Sequence, residues 1–416
     1  MSKTAKLDPD ENRPSILFIN RVYPPRRASS GRLARELARS FARDGWDVQV
    51  LTTDMIASDD PDGPVRVRRI LSLSRKPSIA GGLLLLLRMF VAGVTLPPAQ
   101  VVVTLTDPPL LGVVGHFIAR IKGAKHIHWC HDVYPDLLPV VGVRVPGFLW
   151  RLFYRLSRYA MNSADRVVVV GRCMARHLTQ TGVQPQRIVL IPNWPELAMN
   201  PAIFSGAVPQ PALDDAVITA AQSNIVDGGQ KFRILYVGTV GFAHPVDTIL
   251  DAATILDSMH PEIEFIFIGD ERTQANVTGE KNRRGLGNVR VLPFQPQSRL
   301  RDIMESGDVH LISIKHEAAG MMVPAKFYAA LSAARPCILV GPEATEIGRI
   351  ITDYHAGSVI PQKAAQQLAQ TIVDYRMRED FWFSAHDGAI KAAAAYTAED
   401  MIRLWLRKVR ELLRAN

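Results

Sequence analysis

Ile16-Leu17-Phe18-Ile19, with Ser29-Ser30-Gly31 after it, and Ile234-Leu235-Tyr236-Val237, with Gly238-Thr239-Val240-Gly241 directly after it, are two apolar strands that each lead into a turn of small residues. Each turn opens toward a helix. It is therefore expected to present unpaired backbone N–H groups and a positive dipole end where an anion can rest. The two units stand about half a chain apart in 416 residues, beyond the size at which one hydrophobic core keeps growing, so two domains follow.

Working outward, the first half alternates strand and helix signals. Val48 to Leu51, Val101 to Thr104, Ile127 to Trp129, Arg166 to Val170 and Arg187 to Ile191 read as short apolar strands. Arg32 to Arg43, with Leu33, Leu37 and Phe41 on one face, and Leu110 to Ile121 read as helices between them. The alternation restarts after a stretch of alanine, proline and small polar residues. Strands are predicted at 233–237, 264–268, 289–292, 309–312, 337–340 and 358–360, with helices at 245–259, 298–305 and 325–333. Strands spaced by helices pair in parallel through right-handed crossovers, so each half is a doubly wound α/β unit. The expected division is a polar tail over 1–14, a first domain over 15–195, a linker over 196–231, a second domain over 232–396 and a last helix over 397–416. Ligands of such sheets bind beyond the carboxyl ends of the strands.

The formal net charge is +9, with arginines crowded into the first 190 residues, among them Arg66, Arg68, Arg69, Arg151, Arg155 and Arg158. Such a balance suits nucleic acid, an anionic membrane or an anionic substrate alike. No nucleic-acid reading module accompanies the charge, and nucleic acid is not an expected partner. The cysteines, Cys130, Cys173 and Cys337, lack metal-type spacing, which argues against a disulfide framework or zinc site. The opening residues carry no apolar centre of a secretory signal, giving a cytoplasmic expectation. The apolar run Ile79 to Leu96 is interrupted by Arg88 and falls short of a bilayer span, so it is expected to be buried or to lie on a surface.

Several stretches occur in a telling order: Tyr23-Pro24-Pro25, Ser29-Ser30-Gly31, Thr106-Asp107-Pro108-Pro109, His131-Asp132-Val133-Tyr134-Pro135-Asp136, Ile191-Pro192-Asn193-Trp194 and Val323-Pro324-Ala325-Lys326. Together they resemble bacterial family 4 glycosyltransferases of the GT-B fold, in the branch that builds O-antigen, capsule and exopolysaccharide. The resemblance implies two Rossmann-like domains facing across a cleft, and a nucleotide-sugar donor held mainly by the second. It implies further an acceptor held mainly by the first, transfer with retention, and a last helix crossing back to the first domain.

In that family an arginine and a lysine after the first strand of the second domain meet the donor diphosphate; here Thr239 and His244 stand in their places. Lys326 is then the expected donor-phosphate contact, aided by the turn Gly238, Thr239, Val240 and Gly241 and its Val240 and Gly241 amides. His244 is expected to bond the diphosphate or the donor sugar. The family's glutamate pair is not intact, since Ala329 occupies the second place. Glu317 remains a candidate for the donor sugar and Glu346 for the nucleotide. In the first domain, Asp132 is the expected partner of the acceptor hydroxyl, orienting it or taking its proton, and His131 of the donor sugar or phosphate. Asp107 is similarly placed but equally fits a turn. Ser30 and Gly31 are expected to let a phosphate approach the backbone.

Phe148 to Tyr159 combines Trp150, Phe153 and Tyr154 with Arg151, Arg155 and Arg158 at helical spacing, a face expected to lie on an anionic inner-membrane surface near a lipid-linked saccharide acceptor. No metal cofactor is expected: Asp8-Pro9-Asp10 falls in the tail and Asp60-Pro61-Asp62 in a loop. The alternative reading is a GT-B protein that binds a nucleotide-sugar or saccharide without transfer, motivated by Thr239 and Ala329.

Overall fold

The computed structural model describes residues 13–26, 28–72, 79–196, 231–296 and 299–415. The expected linker over 196–231 and the tail over 1–14 lie almost wholly outside these residues. The first lobe holds strands β1 (Ser15–Ile19), β2 (Asp47–Asp54), β3 (Ser58–Asp62), β4 (Val65–Leu71), β5 (Val101–Thr104), β6 (Lys125–Cys130), β7 (Arg166–Val169) and β8 (Ile188–Leu190). They form one sheet in the order β3-β4-β2-β1-β5-β6-β7-β8. Every neighbour pairs in parallel except β3, which runs antiparallel on β4. The crossovers carry α1 (Ser29–Arg43), α2 (Ile79–Thr95), α3 (Leu111–Lys122), α4 (Gly147–Ser163) and α5 (Arg172–Gln180).

The second lobe is a parallel sheet of β9 (Phe232–Val237), β10 (Ile263–Gly269), β11 (Val289–Pro293), β12 (Val309–Ser313), β13 (Cys337–Val340) and β14 (Gly357–Ile360). Its order is β11-β10-β9-β12-β13-β14. Helices α6 (Asp247–Met259), α7 (Glu271–Arg284), α8 (Leu300–Glu305), α9 (Lys326–Ser332), α10 (Glu346–Tyr354) and α11 (Ala365–Met377) flank it, followed by α12 (Glu379–Ala395) and α13 (Ala398–Arg414). Strand reversal beside β1 and beside β9 puts a crevice at the carboxyl end of each sheet, and the two crevices face one another.

One sequence expectation is corrected at the sheet edge. Asp60-Pro61-Asp62 lies not in a loop but in β3, paired Ser58 with Arg69 through Asp62 with Val65. On β4, Val65 and Val67 turn inward while Arg66 and Arg68 face solvent, a half-buried alternation. Proline and aspartate are poor strand formers, which hid β3, but an edge strand tolerates them. The apolar run became α2: Met89 and Ala92 bury against Leu17, Leu51 and Ile118, while Leu83 and Leu87 stay exposed. No helix among the described residues is long and apolar enough to cross a membrane.

The last helix, α13, has Thr397 at its N-cap, where the hydroxyl accepts from the Asp400 amide, and one strongly apolar face. That face packs on the first lobe. Trp405 is 1% exposed and meets Trp129 edge-on at 4.8 Å, Trp129 stacks on Trp194 at 5.7 Å, and Arg410 pairs with Asp44 beyond α1. Truncating a buried tryptophan removes both its transfer energy and its neighbours' packing. Trp405→Ala is expected to destabilise the first lobe by about 3–5 kcal/mol, read from urea unfolding; a shift under about 1 kcal/mol would mean that α13 does not clamp that lobe.

Candidate active site

A cleft of about 820 Å³ separates the lobes. Its first-lobe wall is made by the loop after β1, the polar side of α1 and the residues just past β6; its second-lobe wall comes from the turns after β9 and β11 and from the start of α9.

Lys326 reaches the turn after β9. Its Nζ lies 3.8 Å from the centre of the Tyr236 ring, a cation–π contact, and it has no carboxylate partner among the described residues. Gly238 makes room for it: a Cβ there would sit 3.3 Å from the Lys326 Nζ, and the residue's φ of +135° disfavours any side chain. The rest of the turn corrects the sequence reading. The Val240 amide donates to the Thr273 hydroxyl at 2.8 Å, and the Gly241 amide closes a small turn on the His244 carbonyl at 3.4 Å. Neither residue lines the cleft, because α6 begins only at Asp247 and the intervening loop consumes those donors internally. Gly238 and Thr239 do line it, and the Thr239 amide has no partner among the described residues.

His244 faces the cleft with its Nδ1 2.6 Å from the Ser313 carbonyl oxygen. A carbonyl only accepts, so Nδ1 carries the proton and Nε2 is an acceptor. Burial, with the Lys326 ammonium beside it, moves the ring down to about 4, so it is neutral at physiological pH. A neutral acceptor suits a sugar hydroxyl rather than a diphosphate oxygen.

Across the cleft, His131 and Asp132 emerge past β6. Burial, then the Asp107 carboxylate, push the Asp132 carboxyl up to about 7. Burial, then the Arg32 charge, push His131 down to about 3, and its buried Nε2 has no partner among the described residues. Asp107 itself accepts from Arg21 Nε at 2.8 Å; burial raises its pKa against that pull, and it does not line the cleft. The loop carrying Asp132 is bound to the opposite lobe. The Val133 amide donates to the Met321 carbonyl at 2.8 Å, and Asp132 forms a bridge with Met322, four residues before Lys326.

Other expected residues fall elsewhere. Glu346 is 1% exposed and accepts from the Arg172 amide at 2.5 Å and the Arg172 guanidinium at 3.0 Å, so it latches α10 to α5 and does not line the cleft. Glu317 is an exposed residue of a short 3-10 turn away from the lining. Ser30 lines the cleft. Gly31 lies beneath it, where a Cβ would strike the Val22 carbonyl oxygen at 2.8 Å, so its role is close packing of the loop after β1. Arg158 is buried, not membrane-facing, because its guanidinium pairs with Asp136 at 2.7 Å and covers the Tyr154 ring. Trp150 stacks on Tyr154 at 5.1 Å and is half-buried, as is Phe153; Arg151 and Arg155 are exposed.

Sequence reasoning missed the apolar part of the second-lobe wall, Phe294, Leu300 and Met304, which scattered single positions do not signal. It also missed the arginines of α1 that line the first-lobe wall, although their three- and four-residue spacing was visible.

Two facing α/β lobes, with a cation and an amide unpaired among the described residues on one wall and a perturbed carboxyl on the other, define a two-lobed GT-B architecture. The Glycosyl transferase 4-like domain model matches residues 30–194 and the Glycosyl transferases group 1 model matches residues 220–376, and the chain belongs to the bacterial GT-B glycosyltransferases of family 4. It is 28% identical to WbjE of Pseudomonas aeruginosa, assigned as a glycosyltransferase, over 66% of this chain and 65% of that one. It is 24% identical to WcaI of Escherichia coli (strain K12), assigned to colanic acid biosynthesis, over 57% of this chain and 56% of that one. The match thus spans less than two thirds of either relative's length. Anabaena HepE, solved with UDP and glucose, superposes with a TM-score of 0.70 at 14% identity, covering 96% of this chain and all of that one, a likeness of fold.

The glycines of the turn after β9 separate cleanly. Gly238→Ala should displace the Lys326 Nζ and strain the turn by about 1–3 kcal/mol, raising the nucleotide-sugar concentration for half-saturation about tenfold. Gly241→Ala, where a Cβ meets open space, should leave it unchanged. Equal effects of the two in a binding titration would remove Gly238 from the site.

Proposed function

We propose that this chain transfers a sugar from a nucleotide-sugar donor to a lipid-linked saccharide acceptor in cell-surface polysaccharide assembly, with retention of configuration and without a metal. The observation that carries the reading is the Lys326 ammonium, free of any carboxylate among the described residues, set across one cleft from the raised carboxyl of Asp132. The names of WbjE and WcaI and the UDP and glucose held by HepE support it.

On this reading Lys326 and the Thr239 amide take the donor diphosphate, and Phe294, Leu300 and Met304 receive the base. His244 Nε2 accepts from a donor-sugar hydroxyl. Negative charge grows on the diphosphate as the glycosidic bond breaks, so a fixed ammonium aimed at it binds the transition state more tightly than the ground state. Asp132, as carboxylate, orients the acceptor hydroxyl and takes its proton, while the unpaired Nε2 of His131 bonds the donor sugar. The competing reading, binding without transfer, is favoured by Thr239 and Ala329 standing where the family carries charged residues.

The membrane surface has its own support. Helix α3 packs between α2 and α4, and the three together expose Leu83, Leu87, Phe117, Ile121, Phe148 and Leu152. Those helices contain no aspartate or glutamate and expose Arg120, Arg151 and Arg155. Apolar side chains ringed by cations suit an anionic bilayer face, which would bring a lipid-linked acceptor to the cleft.

Two tests follow. In a nucleotide-sugar panel with lipid-linked saccharides, Lys326→Ala should lower kcat and raise the donor KM, together at least about a hundredfold in kcat/KM, with EDTA leaving the native rate unchanged. Product from no donor, with tight donor binding, would establish the binding-only reading. The native rate should rise with pH through about 7 as Asp132 ionises, the histidines at 131 and 244 being neutral throughout that window. Asp132→Asn should abolish that rise and slow transfer about a hundredfold or more; a native rate and profile would leave Asp132 structural.

A further inference from the structure

The polar side of α1 carries Arg32, Arg35, Arg39 and Arg43, spaced three and four apart so that they form one stripe, while Leu33, Leu37 and Phe41 bury on the other side. All four guanidinium-bearing residues line the cleft. Arg32 is more than neutralised by two carboxylates that also line the cleft, Glu36 at 3.0 Å and Glu196 at 3.5 Å. The next two differ. Arg35 donates through Nε and Nη2 to Asp62, both at 2.8 Å, and Arg39 grips the same carboxylate through the same two nitrogens, its Nε at 3.2 Å. The Tyr23 hydroxyl donates to it as well, at 2.9 Å.

Although burial pulls the other way, the bonds from Arg35, Arg39 and Tyr23 hold the Asp62 carboxyl well below the usual range, so the cluster is two cations on one anion. One bidentate arginine would satisfy Asp62; the second leaves donor edges open to another anion, although the Glu36 carboxylate also acts on Arg35. Each arginine is more than a third exposed, and the Nη1 of each has no hydrogen-bond partner among the described residues. About 6 Å further along α1 from Arg39, Arg43 also meets no carboxylate among the described residues. Two like charges held side by side against a cleft are stabilised by an incoming oxyanion, and the planar forks fit phosphate or carboxylate edges.

We propose that the Arg35–Asp62–Arg39 cluster, extended by Arg43, is an anion subsite that binds an oxyanion carried by the acceptor. The inference rests on the transfer reading above, in which Lys326 on the opposite wall serves the donor diphosphate, so the stripe on α1 serves a second anion. That oxyanion is either the diphosphate joining the saccharide to a prenyl carrier or the carboxylate of an acidic sugar within it.

The test titrates the full-length protein with farnesyl diphosphate, a glucuronate disaccharide, and a panel of UDP, GDP and ADP. Arg35→Gln/Arg39→Gln should weaken at least one of the first two probes about tenfold or more, and Lys326→Ala should leave that binding intact. Arg43→Gln, at an exposed position outside the Asp62 cluster, should weaken it about threefold, which keeps the question open to a decision if the double variant misfolds. A response of farnesyl diphosphate alone identifies the phosphate source, and of the disaccharide alone the carboxylate source; either supports the subsite. Binding unchanged in a folded double variant and in Arg43→Gln, or no binding of either probe to the native protein, overturns it. A nucleoside diphosphate lost in the double variant rather than in Lys326→Ala would assign the arginines to the donor and overturn the subsite. Nucleotide binding insensitive to Lys326, with an arginine-dependent probe, would sink the transfer reading and spare the anion site.

Discussion

The site depends on one backbone hydrogen bond between lobes. The Val133 amide donates to the Met321 carbonyl at 2.8 Å, and Asp132 and Met322 complete the bridge. The segment just past β6 is thereby bound to the segment that leads into α9, so the carboxyl of Asp132 and the ammonium of Lys326 are positioned by a single shared strand contact. Asn193 adds a bond to the Val323 carbonyl at 3.3 Å, and the Arg172–Glu346 pair latches the lobes further out. Each of these contacts lies on the C-terminal side of the strands, where parallel sheets leave backbone groups free to meet a partner. Loss of the bridge would free the loop of Asp132 from the segment leading to Lys326, while Asn193, the Arg172–Glu346 pair and the shared core still hold the lobes.

Burial sorts the charges that the cleft contains. Both cleft histidines are pushed below physiological pH, so neither competes with the fixed cations for an anion. Lys326 rests on an aromatic face instead of a carboxylate, which keeps its charge available. Asp62 holds its two guanidiniums in a defined orientation, each with an Nη1 edge left without a partner among the described residues. The result is a cleft with arginines on the first-lobe wall, a lysine on the facing wall and, on the first-lobe side, the Asp132 carboxyl raised to about 7.

Much of the fold was legible because parallel strands buried on both faces read as short apolar runs, as in Val101 to Thr104 and Cys337 to Val340. β3 was not, since Ser58 to Asp62 has strand character only through its pairing with β4. That Lys326, Asp132, His131, His244 and Ser30 would line the cleft was legible from motif and strand-end position. What failed was the bookkeeping of backbone donors: nothing in Val240 or Gly241 announces that Thr273, thirty-odd residues on, or a local turn occupies their amides. Glu346 misled for a related reason, because a carboxylate at a helix start looks available until the Arg172 side chain from the other lobe is in view. Arg158 belongs with it: its place on α4 is apparent from spacing, whereas its burial against Asp136 is a tertiary fact.

A crystal structure of the protein with a bound nucleotide-sugar would test the central claim most directly. The diphosphate is expected within about 3 Å of the Lys326 Nζ and the Thr239 amide, with the anomeric carbon turned toward Asp132 and the Val133–Met321 bond retained. A diphosphate resting on the arginines of α1, with Lys326 still folded on Tyr236 and out of contact, would contradict it.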